Sequence, residues 1–239
     1  MGRYSVPLAS EFAEFASVAA GQRVLDVGCG PGALTAELVA RLGPDAVSAV
    51  DPSEPFVAAA RERHPGVTVE RAAAEQLPFE AEEFDAALAQ LVVHFMADPV
   101  AGLREMTRVT RSDGVVAACV WDLASGGGPL SVFWEAAREL DPEAADESQL
   151  PGARQGHLTE LFEKAGLREV EESVLSVRVE HPTFEDWWEP FTLGVGPAGA
   201  FVAALDAAGQ VELRELCRAK QPTAPFVPAG RAWVARGFV

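Results

Sequence analysis

The sequence predicts an α/β protein, and three observations carry that reading. The run Val24-Leu25-Asp26-Val27 reads as a buried strand and is followed at once by glycines at 28, 30 and 32. Ala33 to Leu42 then places Leu34, Leu38, Val39 and Leu42 on one helical face. Further short apolar strands alternate with helical patterns, the order in which a largely parallel sheet with crossover helices is written. A strand, a glycine turn and a helix present backbone N–H groups and a helix N-terminus to a ligand. A tight turn needs one glycine, and three beside an aspartate in an apolar strand point to a bound molecule.

The chain has 239 residues, 49% of them hydrophobic, enough for one large domain or one with a modest insertion. No apolar run reaches the length of a membrane span, and the N-terminus lacks the basic-then-apolar layout of a signal peptide. Cys29, Cys119 and Cys217 are odd in number and far apart, so they read as reduced thiols in a cytoplasmic protein. A net charge of −17 without a basic cluster argues against binding nucleic acid, whose phosphates require Lys and Arg. No His or Cys pair has metal-ligand spacing, so no metal is expected.

The glycine spacing is G-x-G-x-G, one residue short of the dinucleotide fingerprint, and no Gly-Lys-Ser/Thr follows to make a phosphate-binding Walker loop. Asp26-Val27-Gly28-Cys29-Gly30-Pro31-Gly32 resembles the first motif of the class I S-adenosylmethionine (SAM)-dependent methyltransferases. The resemblance implies a Rossmann-like, doubly wound sheet of seven strands, mostly parallel with the last antiparallel. It implies SAM as cofactor and S-adenosylhomocysteine (SAH) as product, with Asp26, Gly28, Cys29, Gly30 and Gly32 against the methionine part.

Along the rest of the chain, Leu8 to Ala20 has a helical pattern with Leu8, Phe12, Phe15 and Val18 on one stripe. Tyr4 precedes it. In the family this segment often folds over the SAM site, which would make Tyr4 part of the substrate pocket; a tyrosine near a terminus is otherwise ordinary. Ala46 to Asp51 is the second strand, and its terminal carboxylate, followed by Pro52, sits where it can accept the ribose hydroxyls. Pro52 to Arg63 is a helical pattern that Ser53 is expected to cap.

Val67 to Glu70 is the third strand. Ala72 to Phe79 with Phe84-Asp85 resembles the family's adenine segment, but Ala73 replaces the usual Asp. The backbone contact at Ala74 is expected to persist, and Glu75 either substitutes for the lost carboxylate or is an exposed turn residue. Ala86 to Gln90 is the fourth strand, with Gln90 at the ligand end. Leu91 to Phe95 continues the family pattern. There His94 is either a neutral imidazole able to accept a substrate proton or a structural group facing the next helix. His64, His157 and His181 carry no motif.

Asp98-Pro99 opens a helix over Val100 to Thr110, whose Glu105, Arg108 and Val109 match the family's pattern. Ser112 to Gly114 reads as a turn and Val115 to Val120 as the fifth strand. Trp121 at its end is either a pocket wall or core.

A helical segment follows over Phe133 to Leu140, then a turn-rich stretch from Asp141 to Gly156 and a helix from Leu158 to Ala165. Val174 to Val179 and Val227 to Gly237 read as strands six and seven. The long segment between them, about 183–223, reads as a helical cap inserted before the last strand of a single domain whose SAM-binding core is about 20–122. Trp187 and Trp188 in the cap, with a hinge-like glycine run at 194–199, suggest a substrate lid. The same aromatics equally suit a second small core.

The activity implied is SN2 transfer of a methyl group to an oxygen, nitrogen or carbon of a small, partly hydrophobic molecule. A nicotinamide-dependent oxidoreductase and a SAM-binding protein without turnover are the alternatives. The sequence does not set the oligomeric state.

Overall fold

The computed structural model describes residues 2–144 and 147–239, so residues 145 and 146 of the turn-rich stretch lie outside the described part. Seven strands form one sheet: β1 (Val24–Val27), β2 (Val47–Asp51), β3 (Thr68–Arg71), β4 (Phe84–Gln90), β5 (Thr110–Trp121), β6 (Arg168–Arg178) and β7 (Ala229–Phe238). Their order is β3-β2-β1-β4-β5-β7-β6. The first five pair in parallel, and β7 runs antiparallel to both β5 and β6. The chain therefore winds outward from β1 in one direction and from β4 in the other. The gap between these two strands is the topological switch point, where open α/β sheets bind ligands.

Alternation along the strands divides the core in two, because successive side chains of a strand point to opposite faces. On one face Leu25, Val27, Ala87, Ala89, Val116, Ala118 and Val120 pack against α4 (Pro99–Val109) and α6 (His157–Ala165). On the other, Val24, Ala86, Leu88, Ala117, Cys119 and Trp121 meet α1 (Gly2–Phe15) and α2 (Ala33–Leu42). α3 (Glu54–Arg63) follows β2. The absence of polar residues from the middle of β1, β4 and β5, Asp26 apart, follows from burial on both faces.

Several boundaries differ from the sequence reading. α1 starts at Gly2 and ends at Phe15, so Tyr4 lies inside the helix instead of preceding it. Tyr4, Leu8 and Phe12 recur at four-residue steps and are all buried, which extends the apolar stripe through Pro7. β5 begins at Thr110 and runs through the Ser112–Gly114 segment, with Asp113 at φ 62 where a turn was expected. β6 starts at Arg168, and its pairing with β7 explains how a strand with little apolar patterning is held.

The cap consists of α7 (Phe184–Trp188), α8 (Gly196–Ala204) and α9 (Ala207–Lys220), and it closes on α5 (Ser131–Leu140) to form a third cluster. Phe133 stacks on Phe191 at 4.7 Å, and Trp187 meets Phe191 edge-on at 4.9 Å. Trp187 and Trp188 are both buried here, only 3% and 7% exposed. Both indoles pack in this cluster, which suits the second-core alternative of the two sequence expectations. They share one core because aromatic partners from α5 approach from a second side. A Cβ on Gly199 would lie 2.8 Å from the Gly194 backbone, so that glycine permits a tight chain crossing at the start of α8.

Candidate functional site

The carboxyl ends of β1, β2, β4 and β5 bring the glycine loop, Asp51, Gln90 and Trp121 to one edge of the sheet. The loop leaves β1 with Gly28, Gly30 and Gly32 all at positive φ, at 71, 53 and 92. A Cβ on Gly28 would fall 2.5 Å from the γ-carbons of Val92, and one on Gly32 would fall 2.4 Å from His64 Nε2. At Gly30 that direction is open, with no protein atom within 4 Å. Two of the three glycines thus serve packing, and the third borders free space.

Asp51 is buried at the end of β2 and is wired to the loop. Its Oδ2 accepts from Gly30 N at 2.9 Å and its Oδ1 from Ser53 N at 2.8 Å. A carboxylate has about four acceptor sites, so roughly two remain for a ligand. Ser53 stands at the N-cap of α3 but makes no side-chain hydrogen bond there, contrary to expectation. Pro52 is exposed beside it.

Asp26 is 1% exposed and receives Thr35 Oγ1–H at 2.6 Å. Burial, against that hydrogen bond, pushes its carboxyl up to about 7. Burial also raises the Cys29 thiol, which excludes a thiolate there.

On the segment after β3, Ala73 is exposed, Ala74 is buried and Glu75 is half-buried. Glu75 Oε1 accepts from Asp98 N at 3.2 Å, tying this segment to the cap residue of α4, so the carboxylate has a structural partner. Asp98 itself accepts from Ala101 N at 3.0 Å, the expected cap.

Gln90 Nε2 donates to the Ser5 carbonyl of α1 at 2.9 Å, while Gln90 Oε1 is buried without a partner among the described residues. His94 lies in a 3-10 turn, Val93–Phe95, with its ring 4.0 Å from that of Phe95. Burial lowers its pKa to about 4, so the imidazole is neutral at working pH, and its Nδ1 is also unpartnered among the described residues. Trp121 is in the core, 2% exposed, and its Nε1 likewise lacks a partner there. Trp121 meets Tyr4 edge-on at 6.3 Å, and Tyr4 Oη reaches His181 Nε2 at 3.1 Å.

The structure thus brings Tyr4, Gln90 and Trp121 together and leaves Trp187 and Trp188 in the cap core. His181, Asp186 and Ser5 join this edge although no motif marks them. Tyr4 and His181 are 177 residues apart, and no local spacing signals such a contact.

Residues 25–118 match a family model described as a methyltransferase domain. Over that stretch, about two fifths of its length, the chain resembles a methyltransferase domain. Among curated relatives, the 2-methyl-6-phytyl-1,4-hydroquinone methyltransferase 2 of Oryza sativa subsp. japonica is 34% identical over 151 residues, 62% of this chain and 39% of that protein. The malonyl-[acyl-carrier protein] O-methyltransferase of Salmonella typhimurium is 37% identical over 138 residues, 55% of this chain and 53% of that one. The chain therefore spans about two fifths to one half of the length of these relatives. A SAM-dependent methyltransferase structure from Thermotoga maritima superposes with a TM-score of 0.59 at 20% identity, covering 99% of this chain and 90% of that one. At that identity the likeness is one of fold. The matched residues end within β5, and the strands and cap beyond it fall outside them.

Proposed function

We propose that this protein is a SAM-dependent methyltransferase acting on a small, partly hydrophobic acceptor and releasing SAH. The observation that carries the reading is Asp51: a buried carboxylate with spare acceptor capacity, hydrogen-bonded to the N–H of the glycine that opens onto free space. A ribose diol suits such a group, and the G-x-G-x-G loop favours SAM over a dinucleotide. When bound, SAM supplies an electrophilic methyl group whose leaving group is already in place, so alignment and exclusion of water are the protein's main tasks. Asp26, Gly28, Cys29, Gly30, Gly32, Asp51, Pro52, Ala74, Glu75 and Gln90 would hold it. His94, neutral and with a free ring nitrogen, would face the acceptor side.

The hydroquinone and malonyl-[acyl-carrier protein] acceptors named for the two relatives set the first compounds to try. A single domain with the cap at 183–223 and a cytoplasmic location complete the reading. Among the described residues no helix is long and apolar enough to cross a membrane.

Calorimetry with SAM, SAH, NAD and NADP tests it: the first two should bind and the nicotinamides should not. Asp51→Ala should weaken SAM binding by about 1–3 kcal/mol, the range for hydrogen bonds to a charged group, with the circular dichroism unchanged. Unaltered affinity in the folded variant would remove Asp51 from the site. Binding of SAM without turnover across phenols, amines, hydroquinones and acyl thioesters would favour a non-catalytic SAM-binding protein.

A further inference from the structure

Outside the motif-bearing strands, three side chains from distant parts of the chain are joined in line. Tyr4 Oη of α1 meets His181 Nε2 at 3.1 Å, and His181 Nδ1 meets Asp186 Oδ2 of α7 at 3.0 Å. The Arg3 guanidinium closes on the same Asp186 oxygen. Tyr4 and His181 are only 6% and 3% exposed, whereas Asp186 and Arg3 extend toward solvent.

The imidazole is firmly placed. His181 and Phe226 exchange backbone hydrogen bonds at 2.9 and 3.1 Å, and the Phe226 ring stacks on the imidazole at 5.6 Å. Asp186 is fixed by its own N–H, which donates to Thr183 Oγ1 at 3.1 Å.

Chemistry sets the direction of the protons. Arg3 first, and then His181, hold the Asp186 carboxyl below its usual range, so it is ionised and accepts from Nδ1–H. Nε2 is then the bare nitrogen, and Tyr4 is its donor. Burial pushes the Tyr4 phenol up to about 12, so it keeps its proton at working pH. The charged or titratable groups facing His181 are Tyr4 and Arg3 from α1 and Asp186 from α7; Phe226 brings none. With its proton given to His181, the phenol oxygen can still accept a hydrogen bond.

The place of this line in the fold matters as much as its order. The Tyr4 ring lies against Trp121 at the carboxyl end of β5, and the adjacent Ser5 carbonyl holds Gln90 at the carboxyl end of β4. Gln90 Oε1 and Trp121 Nε1, one acceptor and one donor, are buried there without partners among the described residues. Buried polar groups are normally satisfied, so a polar ligand beside Tyr4 would account for both.

We propose that Tyr4 is a catalytic residue that receives the proton of a hydroxyl-bearing methyl acceptor of the phenol or hydroquinone class, with His181 and Asp186 as positioning residues that draw the proton onward. The proposal rests on the SAM-dependent reading given above. As the O–CH3 bond forms, the S–CH3 bond breaks with its electron pair left on sulfur. The acceptor's proton passes to Tyr4 Oη, and Tyr4's own proton passes to His181 Nε2. The imidazolium is then paired with the Asp186 carboxylate and returns the proton to water on product release. Methylation strips the acceptor oxygen of its proton affinity, which makes the transfer downhill within the same step.

The test uses the whole chain and the variants Tyr4→Phe, His181→Gln and Asp186→Asn, each checked by thermal unfolding. Nitrogen-15 NMR of labelled histidine should find His181 protonated at Nδ1 and bare at Nε2, and Tyr4→Phe should move the Nε2 resonance. Calorimetry should give SAM affinities within about two-fold of wild type in all three variants. With hydroquinone and catechol as probes, Tyr4→Phe should lower kcat by roughly 100-fold at nearly unchanged KM. His181→Gln should remove the acidic limb of the kcat/KM profile, a change that a merely structural contact would not produce. An Nε2 resonance indifferent to Tyr4→Phe overturns the relay, as does Tyr4→Phe turnover at the wild-type rate. Methylation of neither probe by a protein that binds SAM overturns the hydroxyl-acceptor assignment. Failure of the wild-type chain to bind SAM strikes the underlying reading instead, and the tautomer measurement separates the two.

Discussion

At the scale of single residues, Asp26 is the costliest group in the glycine loop. Its carboxyl is buried, and Thr35 is the side chain that hydrogen-bonds to it. Its folded pKa of about 7 lies above the ordinary value of 3.8, so the folded state binds the proton more tightly than the unfolded chain does. Stability from this group is therefore complete below about pH 4 and is lost as pH rises toward and through 7. Asp26→Asn keeps an oxygen for the Thr35 hydroxyl and removes the titration. The wild type should lose more stability than Asp26→Asn between about pH 5 and pH 8, by on the order of 2 kcal/mol. Urea midpoints at the two pH values check this. Parallel losses in both proteins would mean that Asp26 is ionised throughout.

At the scale of elements, the cap is a folded cluster with its own core. Phe133 and Trp134 of α5 meet Phe184, Trp187, Trp188 and Phe191, so α5 belongs to the cap although it lies far outside the inserted segment. Removing one buried indole leaves a cavity that α5 and α9 cannot fill without moving. Trp187→Ala should lower stability by about 3–5 kcal/mol while leaving SAM affinity unchanged, because the Asp51 and Gly30 site lies outside that cluster. Chemical denaturation and calorimetry on the same variant measure both quantities. A large change in SAM affinity would show that the cap and the glycine loop are coupled.

At the scale of the whole molecule, the sheet is continuous beyond the matched methyltransferase residues. β7 is inserted between β5 and β6, pairing antiparallel with β5 from Val115↔Phe238 to Trp121↔Ala232. A chain ending at residue 122 would leave the apolar strand β5 as a free edge and strip α1 of its β6 and β7 packing. Such a truncation should aggregate on expression, despite holding every recognised motif. Size-exclusion chromatography of the truncated chain decides it, and a soluble, SAM-binding fragment would show that the first half folds alone.

The sequence by itself determined the α/β class, the glycine loop, the acid ending β2 and the cap on α4 by Asp98. Each depends on local periodicity or on a few adjacent residues, and local backbone chemistry follows from such spacing. It also pointed to an antiparallel last strand and an inserted cap, through family resemblance and an unusually long connection. Tertiary structure alone decided which glycine faces open space, because Val92 and His64 reach Gly28 and Gly32 from other parts of the chain. It alone put both cap tryptophans in one core, since α5 supplies partners from some fifty residues earlier. The Tyr4–His181–Asp186 line is the clearest case. Its members carry no motif, and their contact exists only because α1 lies over the sheet while the chain leaving β6 delivers His181 to the same edge. Hydrogen bonds between side chains far apart in sequence depend on the packing of whole elements, and residue spacing along the chain holds no trace of them.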